Sequence, residues 1–182
     1  VAPPEDLEAD PVERQCAVVN ETSSPEFESV GQFQCSEAGT LWGFVGEDPD
    51  LRSKEAGGHR IFERYARLPQ PVIAVLNGYT FGGGLELALA ADLRLAASGV
   101  QLSFPEVKLG IIPGWGGSQR LPELIGKSRA KQMIFSGARI DAAVAEGWGL
   151  VNEVVAGEEL MARAQQLAGE IASNGPVAVQ LT

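Results

Sequence analysis

Glu86 stands in an otherwise apolar run, with Leu85, Leu87, Ala88 and Leu89 around it, directly after Gly82-Gly83-Gly84. A carboxyl in that setting either complements the positive end of a helix dipole from the first turn or is pushed by apolar surroundings towards a raised pKa, which suits proton transfer near neutral pH. The glycines have two readings as well. They make a tight strand-to-helix turn, or they bring backbone N–H groups at a helix N-terminus against a phosphate or a developing oxyanion, with no Cβ in the way. Gly82 and Gly83 are the candidates for that close approach. The run fits neither the G-x-G-x-x-G dinucleotide fingerprint nor the G-K-[ST] phosphate loop.

A second acid, Glu106, follows Pro105 at the end of Leu102-Ser103-Phe104. Taken alone it is a solvated loop carboxylate. It lies 20 residues beyond Glu86, too far to share a helix, so only the fold can bring the two together. Downstream, Ile112-Pro113-Gly114-Trp115-Gly116-Gly117-Ser118 is a second glycine-rich turn, either a plain cap or, through Gly114 and Trp115, part of a binding surface. Cys16 and Cys35 match no metal-ligand spacing and the single His59 does not complete one, so no metal site is expected. Two free thiols are expected, with a disulfide between them as the alternative.

The elements that must position these residues are legible from Ile61 onward. Ile61, Phe62, Tyr65, Ala66 and Leu68 recur at helical spacing up to Pro69 and Pro71. Val72 to Leu76 is a β-branched run of strand length, and Leu85 to Ala91 is a helix apolar nearly all round. Asp92 to Ala96 and Val100 to Phe104 read as short strands, Leu124 to Phe135 and Asp141 to Trp148 as helices, Leu150 to Val155 as a strand, and Glu158 to Ala172 as a final helix. Strands alternating with helices indicate an α/β fold with mainly parallel pairing. Residues 1–60 carry short apolar stretches such as Ala17-Val18-Val19 and Leu41-Trp42-Gly43-Phe44-Val45, read as one or two short strands.

A chain of 182 residues suits one domain and buries roughly 70% of its unfolded surface, enough to fold without staples. Its net charge of −10 is concentrated in residues 1–60, which hold 13 acids against 4 bases. The nearly neutral remainder offers no basic stripe for nucleic acid. The start, Val1-Ala2-Pro3-Pro4-Glu5-Asp6, has neither the basic nor the apolar part of a signal peptide, and no apolar run approaches the ~20 residues that span a membrane. A soluble cytoplasmic protein is expected, with the mitochondrial matrix as the other location.

Taken in order, Asn77-Gly78-x-x-x-Gly82-Gly83-Gly84-x-Glu86-Leu87-Ala88, then Ala91-Asp92, then Phe104-Pro105-Glu106-x-x-Leu109-Gly110-Ile111-x-Pro113-Gly114-x-Gly116-Gly117-x-Gln119-Arg120-Leu121 closely resembles the enoyl-CoA hydratase/isomerase (crotonase) superfamily. The resemblance continues through Gly137-x-x-Ile140-x-Ala142 and Gly149-Leu150-Val151-Asn152-x-Val154-Val155. It implies an α/β spiral of ββα units, here shortened at the C-terminus and divergent at the N-terminus. Residues 58–182 would be the catalytic core, and residues 1–57 a divergent acidic part of the same domain. It implies an acyl-CoA thioester as substrate, an enolate stabilised by two backbone N–H groups, and no cofactor beyond the coenzyme A of the substrate. Gly83 matches one donor. The segment Gly46-Glu47-Asp48-Pro49-Asp50-Leu51 is the nearest counterpart of the other, but Pro49 falls at the donor and has no N–H, so either the second donor comes from Gly46 or Glu47 or the oxyanion hole is half-made.

In the hydratase branch, glutamates at the positions of Glu86 and Glu106 share the work: the first deprotonates water adding at C3, the second delivers a proton to C2. The expected activity is therefore reversible hydration of a trans-2-enoyl-CoA. A double-bond isomerase, another enolate-stabilising enzyme and a non-catalytic acyl-CoA-binding protein are the alternatives. Trp115 stands where many family members carry a small residue, and its indole is expected to narrow the acyl pocket. A homo-oligomer, a trimer or a dimer of trimers, is expected, with Trp148 and the apolar face Leu160, Met161, Ala164, Leu167, Ala168 and Ile171 as a partner surface.

Overall fold

The structure, a computed structural model, describes residues 62–182 apart from 64 and 69, together with the backbone of three short strands nearer the N-terminus. Those three are β1 (Ala17–Glu21), β2 (Gln34–Cys35) and β3 (Leu41–Trp42), the last two an antiparallel pair. The side chains of Cys16, Cys35 and His59, the segment around Gly46 and the expected boundary at residue 57 lie outside the described residues.

From there the chain repeats one theme. β4 (Val72–Leu76) enters a first sheet, β5 (Thr80–Phe81) enters a second, and α1 (Gly83–Ala90) returns. The next turn repeats it with β6 (Leu93–Ala97), β7 (Gln101–Ser103), a 3-10 turn at Pro105–Leu109, and α2 (Gly117–Ser136). β8 (Ile140–Asp141), α3 (Ala142–Trp148), β9 (Glu153–Val155), α4 (Leu160–Ala172) and α5 (Pro176–Gln180) complete the chain. The first sheet has the order β1-β4-β6-β9 and is parallel throughout; the second is β5-β7-β8, with β8 antiparallel to β7. This is the α/β fold expected from the alternating elements, in the ββα spiral that the resemblance implies.

All five residues of β4 are buried, as an inner strand covered on both faces requires. Side chains close the ladder where the strands begin. Asp92 accepts the Val72 N–H at 2.7 Å and returns its own N–H to the Val72 carbonyl at 3.0 Å. One strand further on, Asn152 does the same to Arg94, at 2.8 Å each way.

The departures from expectation are local. Of the helix expected from Ile61, the described residues Phe62, Glu63 and Tyr65 are helical, and the chain turns at Ala66 and Arg67. β5 and β8 are two residues long, too short for periodicity to show. α2 begins at Gly117 rather than Leu124, because it tolerates Pro122 for the loss of one hydrogen bond and breaks instead at Gly126, φ +78°. The strand expected from Leu150 starts only at Glu153, since the N–H groups of Leu150 and Val151 fold back onto the Ala145 carbonyl. Most of the α4 face expected as a partner surface is turned inward: Leu160, Ala164 and Ala168 are buried in the core, Leu167 and Ile171 pack against it, and Met161 remains exposed. Trp148 also packs against the core, with Arg129 over its ring at 5.6 Å. Among the described residues no helix is long and apolar enough to cross a membrane.

Leu95, in the middle of β6, is fully buried. Leu95→Ala is expected to destabilise the chain by about 2–5 kcal/mol, the cost of an unfilled core cavity. A midpoint in urea shifted by less than about 1 kcal/mol would show that the two sheets do not share this core.

Candidate active site

The turn into α1 depends on Gly82. Its φ of +54° with ψ of −126° is backbone that only glycine adopts readily, and its N–H is tied to the Ser103 carbonyl at 3.0 Å. The first intrahelical bond of α1 is the one from Glu86 N–H to the Gly82 carbonyl, at 3.0 Å. Gly83 therefore lies among the N-terminal residues whose N–H groups precede the helical ladder, at the positive end of the dipole.

Glu86, one turn in, is 2% exposed. Its Oε1 accepts the Trp115 N–H at 2.7 Å and the Gly117 N–H at 2.8 Å, both from the second glycine-rich turn, at the entrance to α2. A carboxylate only accepts, so two convergent backbone donors suit it and fix its orientation. Gly117 must be glycine for this to happen. A Cβ there would stand 2.8 Å from the Phe104 ring and 2.9 Å from Glu86 Cγ. Gly116, φ +109°, turns the chain just before it, and Arg120 donates to the Trp115 carbonyl at 3.1 Å.

Glu106 is not the solvated loop acid that its local sequence suggests. It lies in the first turn of the 3-10 segment, 8% exposed, and its carboxyl comes over Gly82: Oε1 would be 3.2 Å from a Cβ at that glycine. Its Oε2 is buried and makes no hydrogen bond among the described residues. Burial pushes this carboxyl above the usual glutamate range; its own backbone N–H pulls part of the way back, and the neighbouring Glu86 carboxylate pushes it up again. The structure thus brings Glu86, Glu106, Gly82 and Gly83 to one end of α1. One carboxyl is held by two donors, and the other has an oxygen with no partner.

Trp115 joins them. Its half-buried indole lies directly over Gly83, where a Cβ would be 2.5 Å from Cζ3, and it stacks at a tilt on Phe62 with ring centres 5.3 Å apart. Gly114 is different: it is exposed, and a Cβ there would meet only the Ile112 carbonyl, at 4.0 Å. The glycine that brings the backbone against Glu86 in this turn is Gly117, which sequence reading passed over; the signal was its place at the first position of the helix, where an N–H is free to point back. No group of three or more His, Cys, Asp or Glu side chains among the described residues is arranged to hold a metal ion.

The family model described as enoyl-CoA hydratase/isomerase matches residues 46–182. The short-chain-enoyl-CoA hydratase of Clostridium acetobutylicum is 49% identical over 125 residues, 69% of this chain and 48% of that protein. The crotonyl-CoA hydratase of Syntrophomonas wolfei is 45% identical over 134 residues, 72% of this chain and 52% of that protein. A crystal structure of enoyl-CoA hydratase from Bacillus anthracis superposes with a TM-score of 0.73 at 41% identity, covering 91% of this chain and 62% of that one. The chain spans about half the length of the curated relatives it matches.

The raised pKa of Glu106 has a consequence for stability. A group whose folded pKa is raised contributes fully below its unfolded value, about 4.3 for glutamate, and that contribution is lost as pH rises through the folded value. Glu106→Gln is neutral at every pH, so its Tm is expected to exceed that of the wild type at about pH 7–8, with the gap closing near about pH 4. Thermal melts of both proteins across that range check it; a gap that widens towards acid would show that the carboxyl is not penalised by burial.

Proposed function

The chain belongs to the enoyl-CoA hydratase/isomerase family, and from that membership we propose that it is a hydro-lyase adding water reversibly across the C2–C3 double bond of a trans-2-enoyl-CoA. The observation that carries the reading is the asymmetric pair at the N-terminus of α1. Glu86 is clasped through Oε1 by two backbone donors, and Glu106 is buried above Gly82 with its pKa raised and with Oε2 unpaired among the described residues.

The chemistry follows from that pair. Water adds to C3 while Glu86, oriented by the Trp115 and Gly117 N–H groups, takes one of its protons through the oxygen outside those bonds. The π electrons of the double bond pass to the thioester carbonyl, and the Gly83 N–H stabilises the enolate oxygen that forms. The enolate collapses and C2 takes a proton from Glu106, whose pKa burial shifts in the direction that suits a proton donor. The pair ends with Glu86 protonated and Glu106 ionised, and exchange with solvent restores it. The second enolate donor would come from Gly46 or Glu47. Coenzyme A enters only as part of the substrate, and no other cofactor is needed, because the thioester itself acidifies C2. We also propose a homo-oligomer, a trimer or dimer of trimers, acting in the cytoplasm. A double-bond isomerase using one carboxyl is the second reading, favoured by the contrast between a Glu86 engaged in two hydrogen bonds and a Glu106 with a free oxygen.

Glu86→Gln and Glu106→Gln are each expected to lower crotonyl-CoA hydration by about 10²–10⁴-fold with thioester binding largely intact. The double variant should lose far less than the product of the two, because the carboxyls act as a unit. Loss of the enoyl-thioester absorbance measures turnover. Full hydration in Glu86→Gln with none in Glu106→Gln would overturn the paired mechanism, and a wild type that moves the double bond of a 3-enoyl-CoA without hydrating crotonyl-CoA would replace the hydratase with the isomerase.

Trp115 bears on chain length. An indole pressed on Gly83 and braced by Phe62 fills space beside the proposed thioester carbonyl. Trp115→Ala should therefore raise kcat/KM for longer or branched enoyl-CoA relative to crotonyl-CoA by about 10-fold or more, as the ~1–3 kcal/mol of a pocket methylene suggests. An unchanged profile across C4 to C10 substrates would place the acyl chain elsewhere.

A further inference from the structure

Among the described residues three charged side chains are buried: Glu86, Glu106 and Arg94. The proposed chemistry uses the first two and leaves the arginine unexplained. Arg94, in β6, is 4% exposed, and all its side-chain hydrogen bonds go to backbone carbonyls rather than to a carboxylate. Nη1 donates to Ala91 O at 2.7 Å and to Ala88 O at 3.3 Å, Nη2 to Asp92 O at 3.3 Å, and Nε to Leu150 O at 2.9 Å.

Burying a guanidinium is costly unless its donors are satisfied, so the location of these acceptors is informative. Ala88 and Ala91 end α1, where carbonyls run out of intrahelical partners and the dipole is negative. The helix has no basic residue in its own last turn. Arg94 supplies the cation from the following strand, and the backbone of Arg94 is itself held on both sides by Asn152. The eight residues of α1 span only about 12 Å at 1.5 Å per residue. Holding one end of so short a helix by several hydrogen bonds limits its sliding and narrows its tilt, and the other end carries Gly83 and Glu86.

We propose that Arg94 is a positioning residue: by anchoring the C-terminal carbonyls of α1 to β6 and to the Leu150 loop, it fixes the placement of the Gly83 N–H and the Glu86 carboxylate for the reaction. This rests on the hydratase reading above. It goes beyond it in giving the oxyanion donor a support at the opposite end of its helix, through a residue that touches neither substrate nor the reacting atoms.

The test compares wild type, Arg94→Met and Arg94→Lys in three measurements: thermal melting, the kcat and KM of crotonyl-CoA hydration, and the near-ultraviolet absorbance of bound acetoacetyl-CoA, whose enolate absorbs where its ketone does not. In folded Arg94→Met, kcat should fall about 10–10²-fold, the range expected when reacting groups are misplaced by about an ångström. KM should change by less than about 3-fold, and the enolate absorbance should drop. Arg94→Lys, which keeps the cation but lacks the fixed fork of donors, should recover part of both. A folded Arg94→Met with wild-type kcat and enolate absorbance overturns the proposal, as does a loss of kcat no greater than the unfolded fraction at the assay temperature. If Arg94→Met does not fold, Arg94→Lys decides on the same readouts, and wild-type values there overturn it. A wild-type chain that enolises bound acetoacetyl-CoA but does not hydrate crotonyl-CoA removes the hydratase reading alone, and the absorbance still judges Arg94. A wild type that does neither removes both.

Discussion

Two hydrogen bonds to one oxygen atom organise this molecule. Glu86 Oε1 receives the Trp115 N–H at 2.7 Å and the Gly117 N–H at 2.8 Å, so the first turn of α1 and the entrance to α2 are joined through a carboxylate. These helices belong to successive turns of the spiral, and this contact sets the register of one turn against the next at the site. Hydrogen bonds to a charged acceptor contribute roughly 1.5–3 kcal/mol each, and the same donors left buried and unpaired would cost about 1–3 kcal/mol apiece. The link is therefore both a stabilising contact and a constraint on shape.

The glycines follow from that constraint. For Gly117 to present its N–H to Glu86, its α-carbon must come so close to Phe104 and Glu86 that any side chain would collide with both. Gly83 is under the same restriction from Trp115, and Gly82 lies beneath Glu106 in a backbone conformation reserved for glycine. The two glycine-rich turns, separate in sequence, are the two faces of one contact. Their flexibility in the unfolded chain makes them expensive to order, and the apolar burial of α1, where every residue from Gly84 to Ala90 is inaccessible, helps to offset it.

Much of this was legible in the sequence, for identifiable reasons. β4 announced itself because five consecutive apolar residues can only be an inner strand or a buried helix, and Asn77-Gly78 limits the length. α3 was legible at its start because Asp141 is a true cap, accepting the Val144 N–H at 2.9 Å. The order of Glu86, Glu106 and the glycine runs pointed to the family. What stayed hidden was whatever depends on distant contacts. Glu106 reads locally as a surface acid because the residues that bury it come from another part of the chain. Arg94 sits near the start of a strand with nothing in its neighbours to mark it, since its acceptors are main-chain carbonyls that any sequence supplies. The face of α4 looked like a partner surface because periodicity shows that a face is apolar, not what covers it.

The difference between the two glutamates is also the reason to expect that the site is costly to the fold. A sequence selected for stability alone would give Glu106 a partner or replace it, because a buried carboxyl oxygen without a hydrogen bond is unfavourable and its neighbour Glu86 repels its charged form. Glu86 shows that the same fold can satisfy a buried carboxylate when donors are placed for it. The lack of a donor to Glu106 Oε2 among the described residues is thus a property of that position rather than of the architecture, and unpaired buried polar groups of this kind concentrate where a ligand completes them. A raised pKa and, among the described residues, an unpaired oxygen are two results of the same burial: in the proposed hydration the first would favour the protonated form, and the second would leave a side from which the proton is given. Pairing Oε2 with a protein donor would stabilise the charged form, lower the pKa and close that side at once, so stability and proton delivery pull this one atom in opposite directions.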